Sequence, residues 1–228
     1  MPITTYIKRL IYPLYIYPRI TPAKRNKLHQ LFSHYEGIGN KEPLAAAANI
    51  RLFSNMEEDG IILRLFASLH VQKGYFIDIG SNDCINSNCA NLVFNFGWKG
   101  LFIDADEKLL QIGKRNYRLF KKESGNRFVQ SFVTPDNINA VIAENSTTKE
   151  IDFLNIDIDG NDHAIWQAIH CVQPKIVLIE NKIEYGEYDI SVPAREPFQP
   201  SEWGTSLVSF NKLARQKGYT LVATNREG

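Results

Sequence analysis

The chain of 228 residues has few cysteines and almost no net charge. Its three cysteines, Cys84, Cys89 and Cys171, form no C-x-x-C pair. This argues against a disulfide scaffold or a structural zinc site and favours a reducing compartment, so we predict a cytoplasmic protein. Lys and Arg number 26 against 25 Asp and Glu, so the overall positive field of a nucleic-acid-binding protein is missing and no nucleic-acid partner is expected.

The first 35 residues contain no acidic residue. They carry six bases: Lys8, Arg9, Arg19, Lys24, Arg25 and Lys27. The segment is also rich in Tyr, Ile and Leu, but prolines and basic residues interrupt it, so it lacks the roughly 20 apolar residues of a transmembrane helix. It also lacks the pattern of a secretion signal. We predict an arm that packs on the domain or on a second subunit of a homo-oligomer. Peripheral contact with an anionic membrane surface is the alternative.

From about residue 74, short apolar runs alternate with helical stretches. Six runs are predicted strands: 75–79, 101–103, 128–133, 151–156, 175–179 and 219–223. They lack polar alternation, which is typical of strands buried on both faces. The pattern predicts an α/β fold with a central, mostly parallel sheet and helices on both faces. We therefore divide the chain into an N-terminal helical extension, residues 1–73, and an α/β domain, residues 74–228.

Acidic residues end four of the predicted strands. In chain order they are Asp78, Asp104, Asp157 and Glu180. Ligands of open parallel sheets bind beyond these strand ends, and an acid after the second strand can accept hydrogen bonds from ribose hydroxyls. Gly80 allows a tight turn and a close approach of the backbone to a ligand. The pattern predicts a polar pocket for a cofactor that contains a nucleoside; a structural turn with capping acids is the alternative.

The glycine-rich turn that seats a pyrophosphate is absent after the first strand. Only Gly80 is present of the glycines in G-x-G-x-x-G, and Asp83 would repel a phosphate. A cofactor without phosphates, such as S-adenosylmethionine (SAM), therefore fits this turn better than NAD. An NAD-type oxidoreductase is the alternative enzyme.

Five short motifs occur in a fixed order along the chain. They are Asn55-Met-Glu-Glu-Asp-Gly60, Phe76-Ile-Asp-Ile-Gly-Ser-Asn-Asp83, Gly97-Trp-Lys-Gly-Leu-Phe-Ile-Asp-Ala-Asp106, Ile151-Asp-Phe-Leu-Asn-Ile-Asp-Ile-Asp-Gly-Asn-Asp162 and Pro174-Lys-Ile-Val-Leu-Ile-Glu-Asn181. In order and spacing, over roughly residues 54–225, the sequence resembles the FkbM-like branch of class I SAM-dependent methyltransferases. The resemblance implies a Rossmann-like fold, SAM as cofactor and transferase activity.

The resemblance also implies roles for individual residues. Asp78 and Gly80 would line the methionine part of SAM, and the adjoining Ser81 and Asn82 belong to the same predicted cofactor site. Asp104 would hold the ribose. Two residues would lie near the adenine, Phe132 and Val133, although Val133 is equally well explained as a core residue. Asp157 would face the sulfonium and the acceptor.

Oxygen-bearing side chains are concentrated after the fourth strand. Asp157, Asp159 and Glu180 could bind Mg²⁺ or another divalent cation and orient an acceptor hydroxyl. The alternative is that this segment caps the following helix. His163, at the start of that helix, is a second candidate for a catalytic general base beside Asp157; an ordinary packed or exposed histidine is its alternative.

We predict a methyltransferase that O-methylates a carbohydrate or glycan-like small molecule. The stretch 181–203 mixes aromatic and charged residues, which suits a sugar. A degenerate fold kept as a binding or assembly subunit is the alternative, and two departures from the family's pattern support it. Cys84 stands where the family usually has glycine and is expected to crowd the cofactor. The chain also ends after the sixth predicted strand, before the usual seventh. Residues 1–22 are expected to be dispensable for SAM binding.

Overall fold

Three helices precede the sheet in the computed structural model, which describes residues 11–39, 44, 50–123, 125–191 and 204–224. They are α1 (Tyr12–Ile16), which leads into a 3₁₀ turn (Tyr17–Arg19), α2 (Pro22–Ile38) and α3 (Glu58–Ser68). Among the described residues, no helix combines the length and the apolar character needed to cross a membrane.

Within the described residues, five parallel strands form one sheet with the order β3-β2-β1-β4-β5. The strands are β1 (Tyr75–Ile79), β2 (Lys99–Asp104), β3 (Asn126–Gln130), β4 (Phe153–Ile156) and β5 (Ile176–Ile179). The helices between and after them are α4 (Ala90–Phe96), α5 (Glu107–Leu119), α6 (Ile138–Asn145), α7 (Asp162–Ala168) and α8 (Leu207–Gln216). The order reverses between β1 and β4, as in Rossmann-like folds. The predicted α/β fold is confirmed.

The central strands are apolar because both of their faces are covered. All five residues of β1 are buried, and successive side chains point to opposite faces of the sheet. Phe76 joins one core cluster with Phe102 and Phe153, whereas Ile77 and Ile79 join the other. Helices α1, α2 and α3 contribute buried side chains to the phenylalanine cluster. The N-terminal segment therefore continues the core of the α/β domain.

The predicted sixth strand, residues 219–223, is wrong. Among the described residues this segment pairs with no strand. Instead, the Tyr219 amide donates to the carbonyl of Ala214 at the end of α8, and the Tyr219 hydroxyl donates to the carbonyl of Pro174. Leu221 and Val222 are exposed. An apolar run becomes a strand only where a neighbouring strand pairs with it.

The outer face of α1 bears on the predicted membrane contact, which stays a prediction. Tyr12 and Ile16 are buried, whereas Ile11, Leu14 and Tyr17 are exposed, Leu14 by 75%. Residues 1–10, with the first two bases, lie outside the described residues. An exposed apolar row next to a segment without acids is suited to an anionic bilayer.

Leu14→Glu is expected to lower binding to vesicles that contain phosphatidylserine by at least tenfold, because it replaces an apolar group with a charge of the lipid's own sign. Co-sedimentation with vesicles measures this. Leu119→Glu, at an exposed leucine on α5, is the matched control. If the wild-type protein does not sediment with these vesicles at low salt, the membrane prediction is wrong.

Candidate functional site

A polar cleft opens at the carboxyl ends of β1 and β4, where the strand order reverses. It encloses about 270 Å³, counting its mouth. Its lining residues are Asn55, Asp78, Gly80, Ser81, Asn86, Ser87, Asn88, Asn155 and Asp157. This crevice is the usual ligand position in an open α/β sheet. Four of the lining residues belong to the predicted site: Asp78, Gly80, Ser81 and Asp157.

Gly80 brings the ends of β1, β2 and β4 together. Its φ of +80° lies in the left-handed region. A Cβ at this position would overlap the backbone carbonyl of Asp157. The amides of Gly80 and Ser81 both donate to the carbonyl of Ile103, at 2.9 and 3.0 Å. Glycine is therefore required by the close contact between the two sides of the cleft.

Asp78 is a fully buried carboxylate at the base of the cleft. It accepts hydrogen bonds from Ser87 Oγ at 2.6 Å and from Asn155 Nδ2 at 2.8 Å. The Asn155 oxygen in turn accepts from Asn88 Nδ2 at 3.1 Å. Burial raises the pKa of Asp78 to about 6, and the hydrogen bonds oppose that rise. Asp78 is therefore mostly ionised at neutral pH.

Asp157 follows β4, and its amide donates to the carbonyl of Ile79 at 3.0 Å. Its side chain is accessible to solvent from the mouth of the cleft, but protein surrounds it closely. Desolvation, followed by repulsion from Glu180, Asp162 and Asp159, raises the pKa of Asp157 to about 7. A carboxyl group with a pKa near neutrality can accept a proton and release it again, as a general base must.

The carboxylates of Asp157, Asp159 and Glu180 converge, as the sequence predicted. One oxygen from each lies within 4.8 Å of the others. The Lys182 ammonium lies 3.0 Å from Glu180 Oε1. Burial alone would lower the pKa of Lys182, but the hydrogen bond and charge of Glu180 outweigh it and raise that pKa. The cluster thus already contains one positive charge, which would compete with a divalent cation.

Lys182, which no sequence motif assigned to the site, is positioned by contacts with Thr205 and Gly204. Its amide donates to the carbonyl of Thr205 at 3.0 Å. Its aliphatic stem packs on Gly204, where a Cβ would overlap the Lys182 Cγ. The spacing Glu180-x-Lys182 places both side chains on one side of extended backbone, which is the signal that could have indicated the pair.

Asp104 lies beside the cleft, at the end of β2. Its carboxylate accepts from the Asn82 amide at 2.6 Å and from the Asp106 amide at 2.8 Å. Burial raises the pKa of Asp104, and these two bonds oppose the rise. Asn82 has a φ of +53° and is exposed. Each Asp104 oxygen can accept a further hydrogen bond, which a ribose hydroxyl could donate. The predicted ribose contact stays a prediction.

Phe132 and Val133 follow β3, next to the end of β2. The Ser131 amide donates to the carbonyl of Asp104 at 2.9 Å, which fixes the start of this segment. Phe132 is 52% exposed, so part of its ring is accessible to a flat ligand. Val133 is half-buried against the aliphatic core cluster, which favours the core interpretation for this residue. Their adenine contacts stay predictions.

His163 is not among the residues that line the cleft. Its ring packs against Phe210 of α8, with ring centroids 5.6 Å apart. Burial lowers the pKa of His163, and the charge of Asp189 opposes the change. The structure therefore brings Asp157, and not His163, to the cleft.

Cys84 does not line the cleft, contrary to the expectation that its side chain crowds a ligand there. The thiol is fully buried, 3.6 Å from Ser81 Oγ, and it abuts Gly113 of α5. Cys84 has a φ of +59°, and it is not among the cleft-lining residues. The left-handed backbone accommodates the side chain between the turn and α5, away from the residues that line the cleft.

Four asparagine side chains line the cleft although no motif singled them out as site residues. They are Asn55, Asn86, Asn88 and Asn155. Two signals could have indicated them. Asn155 is a polar residue within an apolar strand, and asparagine recurs at positions 86, 88, 91 and 95, directly after the motif Phe76–Asp83. Amides both donate and accept hydrogen bonds, so they can bind charged or neutral polar groups.

Asp83 pairs with backbone amides of the segment that follows the β1 turn. Its Oδ1 accepts from the amides of Ile85 and Asn86, both at 3.0 Å. These amides follow the β1 turn, where a dinucleotide-binding fold presents backbone donors to a pyrophosphate. An internal carboxylate already occupies them here. The predicted exclusion of phosphates therefore has a structural basis.

No family model matches this sequence, and no curated protein matches it. Solved structures match part of it. TrmK from M. capricolum, in complex with S-adenosylhomocysteine (SAH), is 20% identical with a TM-score of 0.33; the match covers 42% of this chain and 39% of TrmK. An O-methyltransferase from Bacillus cereus, in complex with SAH, is 17% identical with a TM-score of 0.45, over 73% of this chain and 70% of that chain. The FkbM-like branch stays a prediction.

Proposed function

We propose that this protein is a SAM-dependent methyltransferase and that SAM binds in the cleft between β1 and β4. The charge of the cleft carries the proposal. Asp78 and Asp157 line it, and its described lining includes no Lys or Arg. SAM carries a sulfonium and an ammonium against one carboxylate, so it is a net cation. NAD carries a pyrophosphate, which Asp83 disfavours.

The side chains in the cleft fit the groups of SAM. The Asp78 carboxylate is an acceptor for an ammonium group, and the amides of Asn55, Asn86 and Asn88 are donors for a carboxylate. Asp104 is the proposed acceptor for the ribose hydroxyls. When bound, SAM supplies a methyl group on a sulfonium, which is an electrophile.

We propose an alcohol oxygen of a carbohydrate as the acceptor and Asp157 as its general base. Asp157 takes the proton that the hydroxyl loses as the oxygen is methylated, so the products are a methyl ether, SAH and a proton. The turn Ile183–Tyr185 follows the acidic cluster, and the nearby Tyr188 is exposed and available to stack on a sugar ring. Residues 192–203 of the predicted acceptor loop lie outside the described residues.

A divalent cation among Asp157, Asp159 and Glu180 is the second mechanism that the geometry permits. The convergence of the three carboxylates favours it. The ammonium of Lys182 disfavours it, because that group already neutralises part of the same charge. We therefore favour direct proton transfer to Asp157. The alternative of a degenerate binding subunit loses the support that it drew from Cys84.

Asp78→Asn is expected to lower the affinity for SAM by at least tenfold, because a buried charge-assisted hydrogen bond contributes about 1.5–3 kcal/mol. The amide has the same shape, and its oxygen can accept from Asn155 while its nitrogen donates to the Ser87 hydroxyl, so the fold should persist. Wild-type affinity should fall as the pH drops through about 6, where Asp78 becomes protonated, whereas the variant should lose this step. Calorimetry with SAM, SAH and NAD measures all three affinities.

Glu144→Gln, a change of an exposed carboxylate on α6, is the matched control and should leave SAM affinity unchanged. Wild-type binding of NAD but not of SAM would refute the proposed function. Equal affinity of wild type and Asp78→Asn for SAM would remove Asp78 from the site.

A further inference from the structure

The N-terminal helix α1 reaches a turn that lies 71 residues further along the chain. The Tyr12 hydroxyl donates to Asp83 Oδ2 at 2.7 Å and accepts from Asn86 Nδ2 at 2.7 Å. Tyr12 and Asp83 are both buried. A buried tyrosine hydroxyl needs hydrogen-bond partners, and both of these belong to the turn that borders the cleft.

This contact belongs to a set of hydrogen bonds that surrounds the turn. Asp83 Oδ2 accepts a hydrogen bond from the Tyr12 hydroxyl, and Asp83 Oδ1 accepts from the backbone amides of Ile85 and Asn86. Asn86 is therefore fixed at its backbone by Asp83 and at its side chain by Tyr12. Because Asn86 lines the cleft, the Tyr12 hydroxyl determines how one wall of the cleft presents its amide group.

The same N-terminal segment also contacts a second stretch of chain that reaches the cleft. Arg19 Nε donates to the carbonyl of Leu52 at 2.7 Å, and its guanidinium lies 3.6 Å from the centre of the Tyr15 ring. Three successive amides, from Leu52 to Ser54, donate to Asp59 Oδ2 at 2.7, 2.7 and 2.9 Å. The next residue, Asn55, lines the cleft.

We propose that Tyr12–Arg19 is a clasp that sets the spacing and orientation of the two asparagine-bearing stretches of chain, with Tyr12 as its positioning residue. The clasp acts on the cleft whichever ligand binds there; that the ligand is SAM rests on the proposed function. Removal of residues 1–22 should therefore weaken SAM binding, contrary to the expectation from the sequence, because it deletes the Tyr12 hydroxyl that contacts Asp83 and Asn86. Local sequence patterns cannot reveal a contact across 71 residues.

Tyr12→Phe tests the clasp because it keeps the ring and removes only the hydroxyl. In the ligand-free protein, hydrogen exchange at the amides of Ile85 and Asn86 should become about tenfold faster, since one or two hydrogen bonds are lost. Exchange within β1, at Ile77 for example, should not change. SAM affinity, measured by calorimetry, should fall by about five- to tenfold. Tyr17→Phe, at an exposed tyrosine of the adjoining turn, is the matched control and should change neither quantity.

Arg19→Gln is a second variant, directed at the second stretch of chain. It should accelerate exchange at the Leu52–Ser54 amides and leave Ile85 unchanged. Unchanged exchange at Ile85 and Asn86 in Tyr12→Phe would overturn the clasp, as would acceleration spread evenly through the sheet. Faster exchange with unchanged SAM affinity would overturn the positioning role. If the wild-type protein binds no SAM, the proposed function fails, and the exchange data alone decide whether the clasp exists.

Discussion

Asp157→Asn is expected to reduce methyl transfer by at least 100-fold and SAM affinity by no more than about tenfold, because losing one cleft charge weakens binding of a cation far less than losing the base slows transfer. A general base typically contributes 10²- to 10⁴-fold to the rate, and this contribution appears only in the transition state. Asn has the same shape, but it cannot accept the hydroxyl proton. The assay is transfer of a radiolabelled methyl group from SAM to a panel of mono- and oligosaccharides, combined with calorimetry for SAM.

The pH dependence gives an independent test of the same residue. The base must be unprotonated, so kcat/KM should rise with pH through about 7 and then level off. Bound SAM is a net cation, so it favours the ionised form of Asp157 and lowers its pKa. The inflection in kcat, which reports the SAM complex, should therefore lie at a lower pH than the inflection in kcat/KM for SAM, which reports the free enzyme.

Asp159→Asn and EDTA treatment separate the two mechanisms. If Asp157 takes the proton directly, Asp159→Asn should leave more than about a third of the activity, because Asp159 lies in the acidic cluster but not among the cleft-lining residues. EDTA should then also leave most of the activity, because this mechanism uses no metal ion. With a bound cation, Asp159→Asn, Glu180→Gln and EDTA should each remove most of the activity, and Mg²⁺ or Mn²⁺ should restore it after EDTA. Full activity of Asp157→Asn would contradict both mechanisms and favour a capping role for the acids.

Gly80→Ala is expected to cost about 3 kcal/mol of unfolding free energy and to abolish SAM binding. A left-handed φ costs a residue with a side chain about 1–2 kcal/mol, and the collision of the new Cβ with the Asp157 carbonyl adds about 1–3 kcal/mol. The ends of β1 and β4 must then separate at the base of the cleft. Urea denaturation and calorimetry measure the two effects.

Gly97→Ala is the matched control. Gly97 has a similar φ of +72°, but a Cβ there would meet nothing within 4 Å. This variant should lose only the conformational part, about 1–2 kcal/mol, and keep its affinity for SAM. Equal losses of stability in the two variants would show that the contact between Gly80 and Asp157 is not restrictive.

The position of the cleft at one edge of the sheet followed largely from local sequence pattern. Apolar runs that end in acidic residues predicted β1, β2, β4 and β5, and parallel strands necessarily place their carboxyl ends on one edge. The convergence of Asp157 with Asp159 and Glu180 was therefore predictable. The failure at residues 219–223 has the same origin, because strand propensity is realised only when a partner strand is present, and propensity contains no information about partners.

The sequence by itself determined the α/β class, the position of the acids at the strand ends and the absence of a phosphate-binding turn, because these features depend on residues close together in the chain. Only the tertiary structure decided which side chains line the cleft. The sign of one φ angle placed Cys84 against α5 and away from the ligand space. Folding of α1 onto the domain joined Tyr12 to Asp83 and Asn86. Such contacts depend on how distant segments pack, and no local periodicity or spacing encodes that packing.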